Sequence, residues 1–210
     1  MRTRLAGSGL SLLLGVLVVW LAGAAASRLV GLWLGLGGAA LVLGALVALV
    51  DGRRLRPLLD VAPRPVAAGL LVGGLTALVT RPLYAVVARW VPTLGADVAR
   101  LYAHLGSTRP ALASLALTAV VVAEEIVWRG SVQGALQRRF GAGPAVLLAA
   151  GLYGLALAPA GSPLLVLIAF ACGLVWSALR AATASLIAPV LAHLLWDHVV
   201  LFLAPLAGSG

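Results

Sequence analysis

Three stretches of this chain, residues 5–26, 29–50 and 140–179, contain no charged side chain at all. A helix rises about 1.5 Å per residue, so about 20 such residues cross a hydrocarbon core of about 30 Å. Lipid offers the backbone no hydrogen-bond partners, which leaves helices as the way to bury runs of this kind. Composition agrees: 62% of the 210 residues are hydrophobic and 10% charged, with a mean hydropathy of +1.11. The expected fold is an all-α, polytopic transmembrane bundle of about seven to eight helices.

Punctuation along the chain divides it into spans. After the first two runs, DGRRLRPLLDVAPRP at 51–65 is too rich in arginine and proline to stay in lipid and reads as a cytoplasmic loop. A third span is expected from 66 to about 80, and RPLYAVVARW at 81–90 reads as an interfacial amphipathic helix or an extension of that span. Residues 92–109, with Asp97, Arg100, His104 and Arg109, read as a mixed connector, and Pro110 suits the first turn of a fourth span over 111–128. GSVQGALQRRFGAGP at 130–144 reads as a loop, and Pro159, Gly161 and Pro163 break the following run into spans over 144–157 and 163–179. A last span covers about 182–203. Residues 1–110 and 111–210 are expected to form one integrated membrane domain, the second part carrying the chemistry.

All fifteen cations are arginine, and the net charge of +9 lies in short clusters between apolar runs. That distribution suits topology and lipid headgroups and excludes a nucleic-acid arm. Counting arginines by loop favours a cytoplasmic amino terminus in a multi-pass cell-membrane protein. MRTR followed by a long apolar run is signal-like but reads as a retained first helix. The single cysteine, Cys172, can form no intrachain disulfide and reads as a small packed side chain.

Against that background, VVAEEIVWRG at 121–130 stands out. An ionised carboxylate in a membrane segment costs about 2.5–3.5 kcal/mol, and the chain has six acidic residues in all. Glu125 and Arg129 are four apart, so a helix pairs them on one face. Glu124 points about 100° away and has no such partner, which makes it the candidate general base in a wet intramembrane cavity. In SLIAPVLAHLLWDHVV, residues 185–200, His193 and Asp197 share a face by the same spacing. A histidine and an aspartate there read as half a metal site, a water-positioning pair, a proton relay or a hydrogen-bonded lock between helices. His198 lies on another face, and His104 needs no special explanation.

With those residues in view, the chain resembles the CPBP intramembrane proteases, relatives of the CAAX prenyl endopeptidase. EEIVWR, from Glu124 to Arg129, matches that family's Glu-Glu-x-x-x-Arg, and HLLWD, from His193, matches its His-x-x-x-Asn with Asp197 in the last position. The resemblance implies a membrane endopeptidase in which Glu124 activates water and Glu125 and Arg129 organise the site. His193 and Asp197 would stabilise the oxyanion or hold a metal, either zinc or none at all. It also implies a membrane-associated peptide or protein substrate, with lipid as the surroundings. GLYGLALAP at 151–159 aligns with the remaining motif, but Leu157 stands where that motif has histidine. Leucine neither binds metal nor holds a water. An inactive membrane scaffold or peptide-toxin immunity protein is therefore the first alternative, and a small proton-coupled transporter the second.

Overall fold

A computed structural model describes residues 2–91, 93–105 and 109–206, with the side chains of all of these except 2–11, 101, 104 and 105. Every regular element among them is helical. Helix α1 spans Arg2–Val30 and turns at Gly31, whose φ of 85° is left-handed and suits glycine. A π-helical segment, Trp33–Gly37, leads into α2, Gly38–Leu55. After one 3₁₀ turn come α3, Pro63–Val87, and α4, Leu94–Leu105. Helix α5, Pro110–Glu125, continues through a π-helical stretch, Ile126–Val132, into α6, Gln133–Phe140. Helices α7, Ala142–Ala156, α8, Pro163–Thr183, and α9, Ile187–His198, complete the chain, with α9 prolonged by a π-helical turn to Leu203.

Among the described residues six helical stretches are long and apolar enough to cross a membrane, and Ile187–Leu203 is a shorter apolar helix. Large apolar side chains such as Leu29, Leu49, Leu78 and Leu147 point outward, as a lipid-facing surface requires. The chain is a multi-pass membrane protein.

Four boundaries differ from the sequence reading. The loop expected at 130–144 is helical as far as Phe140, because Gln133, Ala135, Leu136 and Arg138 are good helix formers that the flanking glycines disguise. The connector at 92–109 contains α4, whose Leu94, Val98 and Tyr102 share one inward stripe. The third span begins at Pro63, where proline suits a first turn, and runs through Pro82, so 81–87 is the extension rather than a separate helix. The last helix starts at Ile187, after a break in which Ala184 takes a left-handed φ of 52°.

Two close approaches seat the motif helices. A Cβ added at Gly44 of α2 would lie 2.7 Å from Cβ of Ala123, the residue before Glu124. A Cβ at Gly73 of α3 would lie 2.8 Å from Cα of Ala192, the residue before His193. Only glycine lets these helices meet at backbone distance.

Candidate active site

Helix α5 delivers the two glutamates to different neighbours, because adjacent helical residues diverge by about 100°. Glu125, fully buried, faces α9, where Oε1 lies 2.9 Å from Nδ1 of His193. A carboxylate only accepts, so Nδ1 carries the proton and donates it. The same Oε1 is 3.1 Å from Nη1 of Arg129, the contact that the spacing of four predicts. Nε2 of His193 is 3.5 Å from Oδ2 of Asp197, one turn further along α9. The His193 ring also stacks on Trp176 of α8, with centroids 5.7 Å apart and planes inclined by 25°.

Glu124 turns toward α7 instead. Its Oε2 accepts a hydrogen bond of 2.8 Å from the hydroxyl of Tyr153. Tyr153 is held in turn by aromatic neighbours, Trp128 at 5.1 Å and Trp20 at 6.4 Å between centroids. The Arg129 guanidinium lies over its ring at 4.7 Å. The π-helical stretch carrying Arg129 begins directly after Glu125, and such segments recur where a helix must redirect side chains at a site.

Glu124, Tyr153, His193 and Asp197 open on one cavity of about 260 Å³. Its other walls are apolar and come from distant parts of the chain: Trp33 and Leu36 before α2, Val98 and Tyr102 of α4, and Leu117 and Val121 of α5. Leu157 and Cys172 line it as well, and the cysteine, packed against the cluster around Trp176 as a small side chain, also faces the cavity. The arrangement is an apolar chamber with a carboxylate, a phenol and an imidazole-carboxylate pair converging at one place.

The five sequence candidates Glu124, Glu125, Arg129, His193 and Asp197 are thus brought together. His198 is not. Its Nδ1 donates to the Leu194 carbonyl at 2.8 Å and its Nε2 lies 3.0 Å from the Ser114 hydroxyl, a pair that ties α9 to α5 away from the glutamates. The side chain of His104 lies outside the described residues. The contribution of Tyr153 was open to sequence reasoning only through its place in the aligned motif, and that of Tyr102 not at all.

The family model for type II CAAX prenyl endopeptidase, Rce1-like, matches residues 106–199. That stretch is similar to the Rce1-like family. It contains every residue converging on the cavity from α5, α7 and α9, whereas the first four helices lie outside the match. Neither curated proteins nor solved structures match the chain.

A catalytic zinc normally takes three protein ligands and keeps one open position. Within the Rce1-like stretch His193, through Nε2, and Asp197 supply two donors, and the Nδ1 bond to Glu125 is compatible with such a role, but Glu124 is held by Tyr153. Leu157 adds no donor. Among the described residues, no three His, Cys, Asp or Glu side chains are grouped to hold a metal ion. The donor set does not fit a catalytic zinc, and no step below is routed through one.

Proposed function

We propose that this protein is an endopeptidase that hydrolyses a peptide bond within or beside the bilayer, using water activated by Glu124. One observation carries this reading: a glutamate and a histidine-aspartate pair from different helices face the same apolar chamber inside a membrane bundle. An intramembrane ionisable cluster is expensive to maintain, and its natural use is to supply polar chemistry where lipid supplies none.

In the proposed reaction an extended peptide lies in the chamber with its apolar side chains against Leu117, Val121 and Leu157. Glu124 takes a proton from a water whose oxygen attacks the scissile carbonyl carbon. The oxyanion that forms needs a donor, and the Nε2 edge of His193, beside Asp197, supplies it, acting in its imidazolium form between two carboxylates. Glu124 then returns the proton to the departing amine nitrogen as the C–N bond breaks. The family description names prenyl endopeptidases, so a membrane-anchored, lipid-modified peptide is one substrate within this reading. The arginine distribution supports a cytoplasmic amino terminus in a cell-membrane protein.

The test is to reconstitute the full chain in lipid vesicles with apolar membrane peptides in ¹⁸O-labelled water. Hydrolysis predicts new amino termini, and new carboxyl termini bearing the label, in the mass spectrum. Intact peptides throughout would contradict it.

Leu157 favours one second reading. A leucine in the chamber wall at the C-terminal cap of α7, four residues beyond Tyr153, suits a protein that binds a membrane peptide without cutting it. Under that reading peptide binding survives Glu124→Gln and no product forms, whereas a slow protease gains rate on Leu157→His.

A further inference from the structure

We infer that Tyr153 is the positioning residue for Glu124 and that Arg129 acts on Glu124 through the Tyr153 ring; this rests on the hydrolytic reading above. Among the described residues, the Tyr153 hydroxyl is the only side chain that hydrogen-bonds Glu124, and it holds Oε2 at 2.8 Å. Oε1 has no side-chain partner while Glu124 lines the chamber, which leaves Oε1 as the oxygen free to accept a proton from water.

A glutamate has three rotatable bonds, and without an anchor its carboxylate samples several orientations. The phenol removes that freedom only because its own ring is fixed. Trp20 and Trp128 pack beside it, and Tyr153 is 6% exposed. The guanidinium 4.7 Å from the ring centroid draws electron density toward the ring face, which polarises the O–H and strengthens it as a donor. Arg129 therefore touches one carboxylate directly, Glu125 at 3.1 Å, and reaches the other through an aromatic ring. Tyr153 keeps its proton throughout: the proton taken from water travels on Glu124 to the amine nitrogen, and no other bond changes.

Tyr153→Phe isolates the hydroxyl, since phenylalanine keeps the ring, its aromatic neighbours and the guanidinium contact. In the resting full-length protein, the infrared carboxyl band that Glu124→Gln removes shifts in Tyr153→Phe. This readout needs no substrate. With an internally quenched apolar peptide in vesicles, kcat falls about 10- to 100-fold with KM within about threefold of wild type, the scale expected when a catalytic group is misplaced. Incorporation of 3-fluorotyrosine at 153, which keeps a hydroxyl, restores most of the loss. Arg129→Lys costs less rate in the Tyr153→Phe background than in the wild type, because the route it acts through is gone. An unmoved band, or an unchanged kcat in Tyr153→Phe with Glu124→Gln inactive, overturns the role of Tyr153 and leaves hydrolysis standing. Losses that simply multiply overturn the Arg129 link. A Glu124→Gln variant as fast as wild type overturns the hydrolytic reading itself.

Discussion

Oε1 of Glu125 lies 2.9 Å from Nδ1 of His193 and 3.1 Å from Nη1 of Arg129, so one buried oxygen hydrogen-bonds α9 and pairs with the Arg129 charge at once. Neither the guanidinium nor the carboxylate is more than 1% exposed. Breaking a buried pair by neutralising one member typically costs about 3–5 kcal/mol, because the other charge is left in a medium of low dielectric. Glu125→Gln is expected to destabilise the protein on that scale, measured by denaturant or thermal unfolding in detergent. Glu124 opens on the chamber, and Glu124→Gln is expected to cost under about 1 kcal/mol, as one exchanged hydrogen bond does. Equal losses for the two would show that the carboxylates do not divide their work in this way.

The close approach of α3 to α9 gives a second prediction. Gly73→Ala places a methyl group 2.8 Å from Cα of Ala192 and forces apart the helices that carry His193. Overpacking of this kind costs about 1–3 kcal/mol. Gly74→Ala is a matched control, since its Cβ would meet only the Leu195 Cδ2, at 4.0 Å. A melting temperature that falls for the first and holds for the second is expected; equal effects would contradict the packing argument.

Tyr102 of α4 lines the chamber. Its hydroxyl donates to the Val200 carbonyl at 2.6 Å and accepts from the Leu206 N–H at 3.1 Å, clamping the segment after α9. Burial raises the Tyr102 pKa above its ordinary value, outweighing the opposing Leu206 hydrogen bond, so the hydroxyl remains a donor at neutral pH. Two net hydrogen bonds are worth about 1–3 kcal/mol. Because Cys172 is the only cysteine in the chain and lines this chamber, its alkylation by N-ethylmaleimide reports opening. Tyr102→Phe is expected to speed labelling about tenfold, the change that about 1.4 kcal/mol produces. An unchanged rate would mean that the clamp does not control access.

How much of this was legible beforehand differs by residue. The long uncharged runs dictated a helical bundle, and spacings of four made Glu125–Arg129 and His193–Asp197 readable as pairs. That Glu124 would lack a partner on its own helix followed from the 100° step. What could not be read were relationships between helices. Nothing periodic marks Gly44 or Gly73 as close-approach points, since a missing side chain leaves no pattern. Helix α4 was hidden because Asp97 and Arg100, which pair with each other off its apolar stripe, make the segment read as polar in the sequence. The helical stretch from Gln133 to Phe140 was obscured by its arginines and by the glycines that flank it.

Metal dependence separates the donor set described here from a zinc site. With no third ligand grouped beside His193 and Asp197 among the described residues, peptide cleavage is expected to survive o-phenanthroline within about twofold, well below the effect of removing a metal that activates water. Stoichiometric zinc in the purified protein, with activity lost on chelation and restored by zinc alone, would contradict this.

Glu124 carries the central claim. The most direct measurement compares wild type with Glu124→Gln in lipid vesicles, following cleavage of an apolar membrane peptide by mass spectrometry, with unfolding recorded on the same samples. The expected result is a loss of at least about 100-fold in rate without loss of fold, since glutamine keeps the shape and accepts the Tyr153 hydroxyl but cannot take a proton from water. Cleavage by the glutamine variant at the wild-type rate would contradict the account.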